Sequence, residues 1–337
     1  MAGSLMVPVQ DQDHERAHVP IRGPLGTALA RVTGLAWEAR RRLYEIGMLS
    51  PERVATRVVS VGNLTLGGAG KTTLVLHLAA AAGTRGLDLA VVSRRYRPGP
   101  GGQGDEELLY TAALGRASTY CGASKRDLAR AAAHAGAKLV LVDDGFSHWG
   151  LARDLDVVLL DRTDLWGGGR LLPAGRLREP LVALQRAGVI VVTRLAPGED
   201  PTPLLAEVRR RAPAAWVAAA RHALDGVRDL AGTVLAVRGA VRVLTATGNP
   251  GAVATSAREA GFAPVTLAAY RDHHWWSVAE AVREHAAAGA GMLLLTAKDA
   301  VRWPQRAPRE RVAVLATRWQ WVSGGAEVER RVWEAGP

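Results

Sequence analysis

The sequence predicts an α/β fold with a mostly parallel sheet, preceded by an amphipathic helix and followed by a smaller second α/β lobe. After Pro51, short β-branched runs alternate with helical stretches rich in Ala, Leu and Arg, and a glycine-rich loop joins the first run to a helix. Apolar runs between helices are typical of a parallel sheet covered on both faces. We expect a first lobe at 25–225 and a smaller lobe at 226–337, with a hinge at about His222–Gly239.

Composition excludes several classes of protein. The 337 residues are 48% hydrophobic, which is enough for a large core and for about two domains. Cys121 is the sole cysteine, so no disulfide forms within the chain and a reducing cytosol is favoured. No apolar run reaches the roughly 18 residues of a spanning helix, and the polar start of the chain predicts no secretory signal. The net charge of +11 favours an anionic partner: nucleic acid, anionic lipid or a phosphorylated substrate.

The first element is a predicted helix at Leu25–Leu49, after a flexible tail at residues 1–24. Apolar residues recur there at three- and four-residue steps, accompanied by Arg31, Arg40, Arg41 and Arg42. This pattern favours a helix docked on the domain, and it also fits a basic amphipathic helix at a membrane interface. The residues alone leave both possibilities open.

The predicted strands are short apolar runs. In the first lobe they are Val58–Val61, Leu89–Ser93, Leu139–Val142, Asp156–Leu160, Val189–Thr193 and Trp216–Ala219. In the second lobe they are Val241–Ala246, Pro264–Ala268, Met292–Thr296 and Val312–Ala316.

A phosphate cradle follows the first strand and indicates a P-loop NTPase-type lobe. Its residues are Gly67, Gly68, Ala69, Gly70, Lys71, Thr72 and Thr73. Glycines allow successive N–H groups to face phosphate oxygens, and the helix N-terminus adds its positive end. Lys71 is expected at the β- and γ-phosphates of ATP, and the Thr72 hydroxyl on Mg²⁺. Thr65 stands where the strict motif has its first glycine.

Two adjacent carboxylates, Asp143 and Asp144, follow the buried run at Leu139–Val142. An Asp-Asp-Gly sequence on its own is more often a turn. Beside a phosphate cradle, however, an acidic pair at the end of a second strand is suited to holding Mg²⁺. We therefore expect Asp143 to bind the metal, directly or through water, and Asp144 to support it.

Further blocks follow in order along the chain: the cradle from Ser60, Ser93-Arg94 with Tyr96, Gly104-Asp105-Glu106, Asp143-Asp-Gly-Phe146 with His148, Arg153-Asp154, Leu172-Pro-Ala-Gly with Leu177-Arg-Glu-Pro180, Gly248-Asn249-Pro250, Asp272-His273, and Thr296 with Lys298-Asp299. Together these blocks resemble one family, the tetraacyldisaccharide 4'-kinases that act in lipid A biosynthesis. The resemblance implies a lipid kinase that uses ATP and Mg²⁺ to phosphorylate the 4'-hydroxyl of tetraacyldisaccharide 1-phosphate, giving lipid IVA. It also implies a peripheral enzyme on the cytoplasmic face of the inner membrane, and so favours the interfacial interpretation of the first helix.

The resemblance also implies roles for single residues. Asp105 matches the family's catalytic base and His273 its partner in the second lobe, so that closure of the two lobes assembles the site. Lys71 joins them as a catalytic residue, and Arg94, Glu106, Arg178 and Glu179 are candidates for contact with substrate. The chain departs from the family pattern at Arg95, where glycine is usual, and at Glu107, where proline is usual.

The alternative from a different class is a P-loop ATPase that acts as a nucleic-acid or assembly factor, as the positive charge suggests. The sequence contains no recognisable nucleic-acid module, and aromatic residues make up only 5% of it. We therefore expect no nucleic-acid partner. The expected partners are the lipid substrate and a membrane surface.

Overall fold

The structure, a computed structural model, describes residues 20–334. The helices in that range are α1 (Gly23–Glu45), α2 (Lys71–Thr84), α3 (Asp105–Leu114), α4 (Lys125–His134), α5 (Thr202–Arg211), α6 (Pro250–Glu259), α7 (Val278–Ala287), α8 (Ala297–Ala300) and α9 (Gly325–Trp333). The strands are β1 (Arg57–Asn63), β2 (Leu89–Arg94), β3 (Thr119–Gly122), β4 (Leu139–Asp143), β5 (Leu155–Asp161), β6 (Val189–Thr193), β7 (Trp216–Asp229), β8 (Val234–Leu235), β9 (Gly239–Thr245), β10 (Phe262–Ala269), β11 (Met292–Thr296) and β12 (Val312–Ser323).

These strands form one sheet in the order β10-β9-β11-β12-β7-β6-β5-β1-β4-β2-β3, with β8 paired to β7. From β3 to β7 all neighbours are parallel, and so are β12, β11, β9 and β10. The two sets meet at the antiparallel pair of β7 and β12. The expected mostly parallel α/β fold is confirmed.

Hydrophobic cores divide the chain into two lobes. Residues 20–224 and 317–334 share the cores around β1 to β6, which we call the first lobe, and residues 227–315 share the cores around β9 to β11, the second lobe. The chain passes into the second lobe along β7 and returns along β12, so Val328 and Val332 of α9 pack with Leu74 of α2. Residues 317–334, expected in the smaller lobe, therefore belong with the first.

The opposite directions of the two strand sets position the site. Strands of the first lobe run toward the second, and strands of the second lobe run toward the first, so their carboxyl ends face one another. Ligands of parallel α/β sheets bind at the carboxyl ends of the strands. A Cβ built on Gly248, after β9, would lie 3.9 Å from the backbone nitrogen of Gly68 after β1. The cleft between the lobes is therefore lined by both carboxyl edges.

The remaining differences from the sequence predictions have local causes. All ten predicted strands are present, whereas β3 and β8 are short and were not predicted. The β7 strand continues to Asp229, so the first eight of the eighteen residues of the expected hinge belong to a strand, because β12 pairs with it. Helix α1 ends at Glu45, before Pro51, at a turn where Gly47 has φ +75°. Residues 1–19 of the predicted tail lie outside the part of the chain that the structure describes.

A β-bulge marks the point where β7 leaves the first lobe. Val227 pairs with Leu315, and Leu224 pairs with Thr317, so Asp225 and Gly226 together oppose one residue of β12. Gly226 has φ +98°, a conformation open to glycine at little cost. Bulges bend a strand and raise its twist, so the direction of β7 changes between the lobes.

Candidate active site between the lobes

The phosphate cradle has the strand–loop–helix form that the sequence predicts. The loop after β1 leads into Lys71, Thr72 and Thr73, the first residues of α2, and has φ +115° at Gly67 and +91° at Gly70. Asn63 organises it, because its amide nitrogen donates to the carbonyl oxygens of Thr65 at 2.8 Å and Gly67 at 3.3 Å. A side chain at Gly70 would meet His222 of β7 at 2.6 Å, so glycine is required there by space as well as by φ.

Lys71 and Arg178 both reach the Asp144 carboxylate. The Lys71 ammonium lies 3.5 Å from Asp144 Oδ1 and donates to Asn63 Oδ1 at 2.9 Å. Arg178 Nη1 donates to both Asp144 oxygens, at 2.9 and 2.7 Å. Although burial raises it, these cations and Lys125 lower the pKa of Asp144 well below its usual range. The predicted residues Lys71, Asp144 and Arg178 therefore form one cluster at the cradle.

Asp143 is held differently. Its Oδ2 accepts a 2.6 Å hydrogen bond from the Tyr110 hydroxyl, whereas its Oδ1 is buried without a hydrogen-bond partner among the described residues. Burial raises the pKa of this carboxyl, as does the neighbouring Asp144. A buried oxygen left unpaired costs free energy until a ligand takes it.

These residues fit Mg²⁺ bound with a nucleotide. No cluster of three or more His, Cys, Asp or Glu side chains suited to a metal occurs within residues 20–334. Mg²⁺ in kinase sites usually keeps one or two protein carboxylates, with waters and substrate phosphates completing its shell, so such a cluster is not needed. Asp143 Oδ1 and Thr72, the second residue of α2, are the groups here that would hold the ion.

Asp105 and His273 meet across the cleft. Asp105 begins α3 in the first lobe, and His273 lies after β10 in the second, with Nδ1 2.9 Å from Asp105 Oδ2. Asp105 Oδ1 accepts the Glu106 backbone N–H at 2.9 Å. Two further cations of the second lobe approach Oδ2: Lys298 Nζ at 3.6 Å and Arg302 Nη1 at 3.7 Å. The predicted pairing of residues 168 positions apart is therefore present in the structure.

The electrostatics of adjacent Asp105 and Glu106 diverge. Burial raises the pKa of Asp105, but the hydrogen bond with His273 and the charges of Lys298 and Arg302 outweigh it, and the pKa falls to about 2. Burial and the charge of Asp143 raise the pKa of Glu106 to about 7. Asp105 is thus ionised at neutral pH, whereas its neighbour Glu106 holds its proton to a much higher pH than an ordinary glutamic acid. Pairs whose environments separate their pKa values are typical of catalytic sites.

Two predicted substrate residues lie elsewhere. Glu179 is 3% exposed, and its Oε2 accepts from Trp37 of α1 and from Arg186, both at 2.7 Å. It therefore anchors α1 instead of facing the cleft. Arg94 ends β2 and is exposed, and its side chain forms no hydrogen bond or ion pair with other described residues. It stands at the carboxyl edge of the sheet.

Comparison with known proteins identifies the family. The family model described as tetraacyldisaccharide-1-P 4'-kinase matches residues 24–335. The chain belongs to this family.

Individual relatives agree along most of the chain. It is 38% identical over 314 residues to a tetraacyldisaccharide 4'-kinase of Anaeromyxobacter dehalogenans, covering 83% of each protein, and 34% identical over 305 residues to one of Parvibaculum lavamentivorans, covering 86% of this chain and 84% of that protein. Its fold is similar to the crystal structure of LpxK from Aquifex aeolicus in complex with ATP, with a TM-score of 0.67 and 20% identity over 91% of this chain and 96% of the other.

The two residues that depart from the family pattern contact one another. Arg95 and Glu107 form a two-pronged ion pair, with Nε to Oε2 at 2.9 Å and Nη2 to Oε1 at 3.1 Å. Glu107 also accepts from the Gly104 backbone N–H at 3.4 Å, which caps α3 immediately before Asp105. The pair therefore holds the loop before α3 to the helix that carries the site.

Several site residues were not predicted from the sequence. Lys125 begins α4 and donates to the Asp144 backbone oxygen at 2.6 Å, and burial lowers its pKa. Tyr110, Asn63 and Arg302 are likewise buried polar groups in contact with predicted residues. Buried lysine and arginine are rare, but a sequence does not show which of its many basic residues is buried. The position of Asn63 at the end of a strand before a glycine-rich loop is the one signal that could have been used.

Proposed function

We propose that this chain performs the reaction of its family through a site assembled across its two lobes. ATP binds at the cradle, and the 4'-hydroxyl of a tetraacyldisaccharide 1-phosphate attacks the γ-phosphorus. The new bond joins the 4'-oxygen to phosphorus as the bond to the β,γ-bridging oxygen breaks. ADP leaves, and the hydroxyl proton passes to the enzyme. The 2.9 Å contact between Asp105 and His273 beside the cradle is the observation that carries this proposal.

The cradle holds the triphosphate by charge and by backbone N–H groups. Lys71 and Arg178 converge on the Asp144 carboxylate at the cradle, so two cations lie close to the place proposed for the β- and γ-phosphates. Asp143 and Thr72 would hold Mg²⁺, which neutralises charge on the phosphate oxygens when bound. Phosphoryl transfer depends mostly on such positioning and neutralisation.

Asp105 and His273 act as one proton-accepting unit. With a pKa of about 2, Asp105 is a weak base by itself at neutral pH. Its lasting negative charge orients the imidazole and stabilises the positive charge that His273 gains with the proton. Lys298 Nζ lies 3.4 Å from His273 Nε2 and 3.8 Å from Asp272, so its positive charge lies next to the proton-accepting unit.

Lobe movement accompanies catalysis in this proposal. The proton-accepting unit takes one residue from each lobe. The lobes are joined by the paired strands β7 and β12, with the bulge at Gly226. An acylated disaccharide must enter between the carboxyl edges, so we infer that the lobes open at the bulge and close over the substrates. Closure excludes water from the transferring phosphoryl group.

The membrane surface is the proposed source of the lipid substrate. No helix within residues 20–334 is long and apolar enough to cross a bilayer. Helix α1 exposes an apolar stripe of Leu25, Leu29, Val32 and Leu35, which follow one another at helical spacing on one face, whereas Trp37 on the other face is buried against the domain. Such a stripe is suited to the interfacial zone of a bilayer, and we place it on the cytoplasmic face of the inner membrane.

A γ-phosphate transfer assay tests the function. Purified protein, Mg-ATP labelled in the γ-phosphate and tetraacyldisaccharide 1-phosphate in detergent micelles should yield label at the 4' position. Lys71→Ala serves as the control and should abolish transfer. Transfer by Lys71→Ala equal to that of the wild type, or ATP binding without transfer by the wild type, would contradict the proposal.

A further inference from the structure

Tyr110 is a buried polar residue for which the apolar core gives no reason. It lies on α3, is fully buried, and packs with Val59, Leu74 and Leu141 in the core beneath the cradle. A phenylalanine would fill the same space. The hydroxyl must therefore be explained by what it contacts.

That contact is the carboxylate of Asp143. The Tyr110 hydroxyl donates to Asp143 Oδ2 at 2.6 Å and so fixes the rotation of the carboxylate about its last bond. The Thr72 side chain lies beside the same hydroxyl. One oxygen of Asp143 is thereby committed to the protein, and Oδ1 is left buried without a partner.

The same helix begins at the proton-accepting unit. Asp105 and Glu106 are the first residues of α3, and Tyr110 follows in its second turn. A single helix therefore contacts His273 of the second lobe through its first residue and the end of β4 through its second turn. Among the residues that the structure describes, the Tyr110–Asp143 hydrogen bond is the side-chain hydrogen bond that joins α3 to Asp143, the proposed Mg²⁺ ligand.

We propose that Tyr110 is a positioning residue that aims Asp143 Oδ1 at the Mg²⁺ of Mg-ATP and holds α3 in register with β4. It touches neither substrate. A carboxylate that is held by one donor already presents its second oxygen in a fixed direction, so binding a cation costs it little rotational entropy. Outer groups that orient a metal ligand typically matter about 10- to 100-fold in metal affinity.

Tyr110→Phe tests this role because it removes only the hydroxyl. The affinity for ATP is measured by isothermal titration calorimetry in excess EDTA and again in Mg²⁺. The gain in ATP affinity given by Mg²⁺ should fall by about tenfold in the variant, while affinity in EDTA stays at the wild-type value. Tyr120→Phe is the matched control, since Tyr120 is a partly buried tyrosine of β3 whose hydroxyl makes no hydrogen bond with other described residues.

A second comparison separates positioning from packing. In an Asp143→Ala background, adding Tyr110→Phe should cause no further loss of the Mg²⁺-dependent gain, because the hydroxyl then has no carboxylate to aim. An equal loss in both backgrounds, or an unchanged gain in Tyr110→Phe alone, would overturn the proposal. The inference rests on the Mg-ATP chemistry proposed above. Absence of any Mg²⁺-dependent gain in the wild-type protein would count against that function, and not against Tyr110 alone.

Discussion

Three basic side chains of the second lobe converge on one oxygen of Asp105. His273, Lys298 and Arg302 lie 2.9, 3.6 and 3.7 Å from Oδ2. The Arg302 side chain is itself fully buried and is paired with Asp299. Removing one partner of a buried charge network leaves the others uncompensated. The charge on Asp105 therefore contributes to holding the lobes together, besides the role in proton transfer that we propose for it.

Asp105→Asn and His273→Ala should each lower kcat by about 10²- to 10⁴-fold, since either change breaks the proton-accepting unit. ATP affinity should persist, because neither side chain reaches the cradle. The two quantities are measured by phosphate transfer and by calorimetry.

His274→Ala is the matched control for this pair. That neighbouring histidine faces Glu280 at 3.4 Å and stacks on Tyr270, away from Asp105. A loss of kcat in His274→Ala as large as that in His273→Ala would mean that kcat depends on the loop as a whole and not on the proton-accepting unit.

A histidine beside the cradle makes stability depend on pH. Burial, and then the charge of Arg194, lower the pKa of His222 to about 4. In the unfolded chain a histidine titrates near 6.5, so between pH 6.5 and 4 the unfolded state takes up a proton that the folded state refuses. Stability should fall over this range, by at most about 3 kcal/mol from this residue.

Urea unfolding at pH 7 and pH 4.5 checks the contribution of His222. The loss between the two pH values should be smaller in His222→Gln than in the wild type. His134→Gln, which changes an exposed histidine at the end of α4, should leave the loss unchanged. Equal losses in His222→Gln and the wild type would contradict the prediction.

At the scale of elements, α1 joins the site to the surface. Its Trp37 donates to Glu179, whose neighbour Arg178 bonds Asp144 at the cradle. The basic residues of α1 are less free than their number suggests: Arg41 pairs with Glu38 and Glu45, and Arg40 lies over Tyr44 and Trp149. The exposed apolar stripe is therefore a better target for testing membrane contact than the arginines.

Leu25→Glu with Leu35→Glu should weaken binding to anionic vesicles by at least about tenfold, because two leucine side chains lose their transfer free energy. These residues are 65% and 71% exposed, so the fold should be unaffected. Vesicle co-sedimentation measures the effect.

The control for α1 makes the same change in charge elsewhere. Val234→Glu with Val282→Glu alters two valines of the second lobe that are 65% and 46% exposed. Equal loss of vesicle binding in both double variants would point to net charge and not to the stripe.

Elements with a strong local pattern could be predicted from the sequence, and elements made by tertiary contact could not. The strands β6 and β11 have the predicted bounds because they are continuous apolar runs. The second half of β7 is amphipathic and polar in part, and it is a strand because β12 pairs with it. At the site, motifs predicted Lys71, Asp143, Asp105 and His273. The supporting residues Tyr110 and Lys125 depend on burial, which is a property of the folded chain.

At the scale of the whole molecule, the bulge in β7 lies where the chain passes from the first lobe into the second. Gly226→Val should lower the free energy of unfolding by about 1–2 kcal/mol, because a β-branched residue is strained at φ +98°. If lobe closure uses this bend, kcat should fall while ATP affinity holds.

Gly226→Asn provides the rescue, since asparagine tolerates positive φ better than valine. Stability and kcat should both recover part of the way. Full activity in Gly226→Val would separate the bulge from closure, and lost ATP binding would show that the change damages the first lobe.

The path of the chain gives the second lobe the character of an inserted module. Leu224 and Thr317 are neighbours on adjacent antiparallel strands, so the chain leaves the first lobe and returns to it at neighbouring positions. A two-residue turn could join Leu224 directly to Thr317 in place of the inserted module. The shortened chain would keep the cradle, α2 and α9, yet it would lack His273 and Lys298. The cradle and the residues His273 and Lys298 thus lie on two different modules of one continuous sheet.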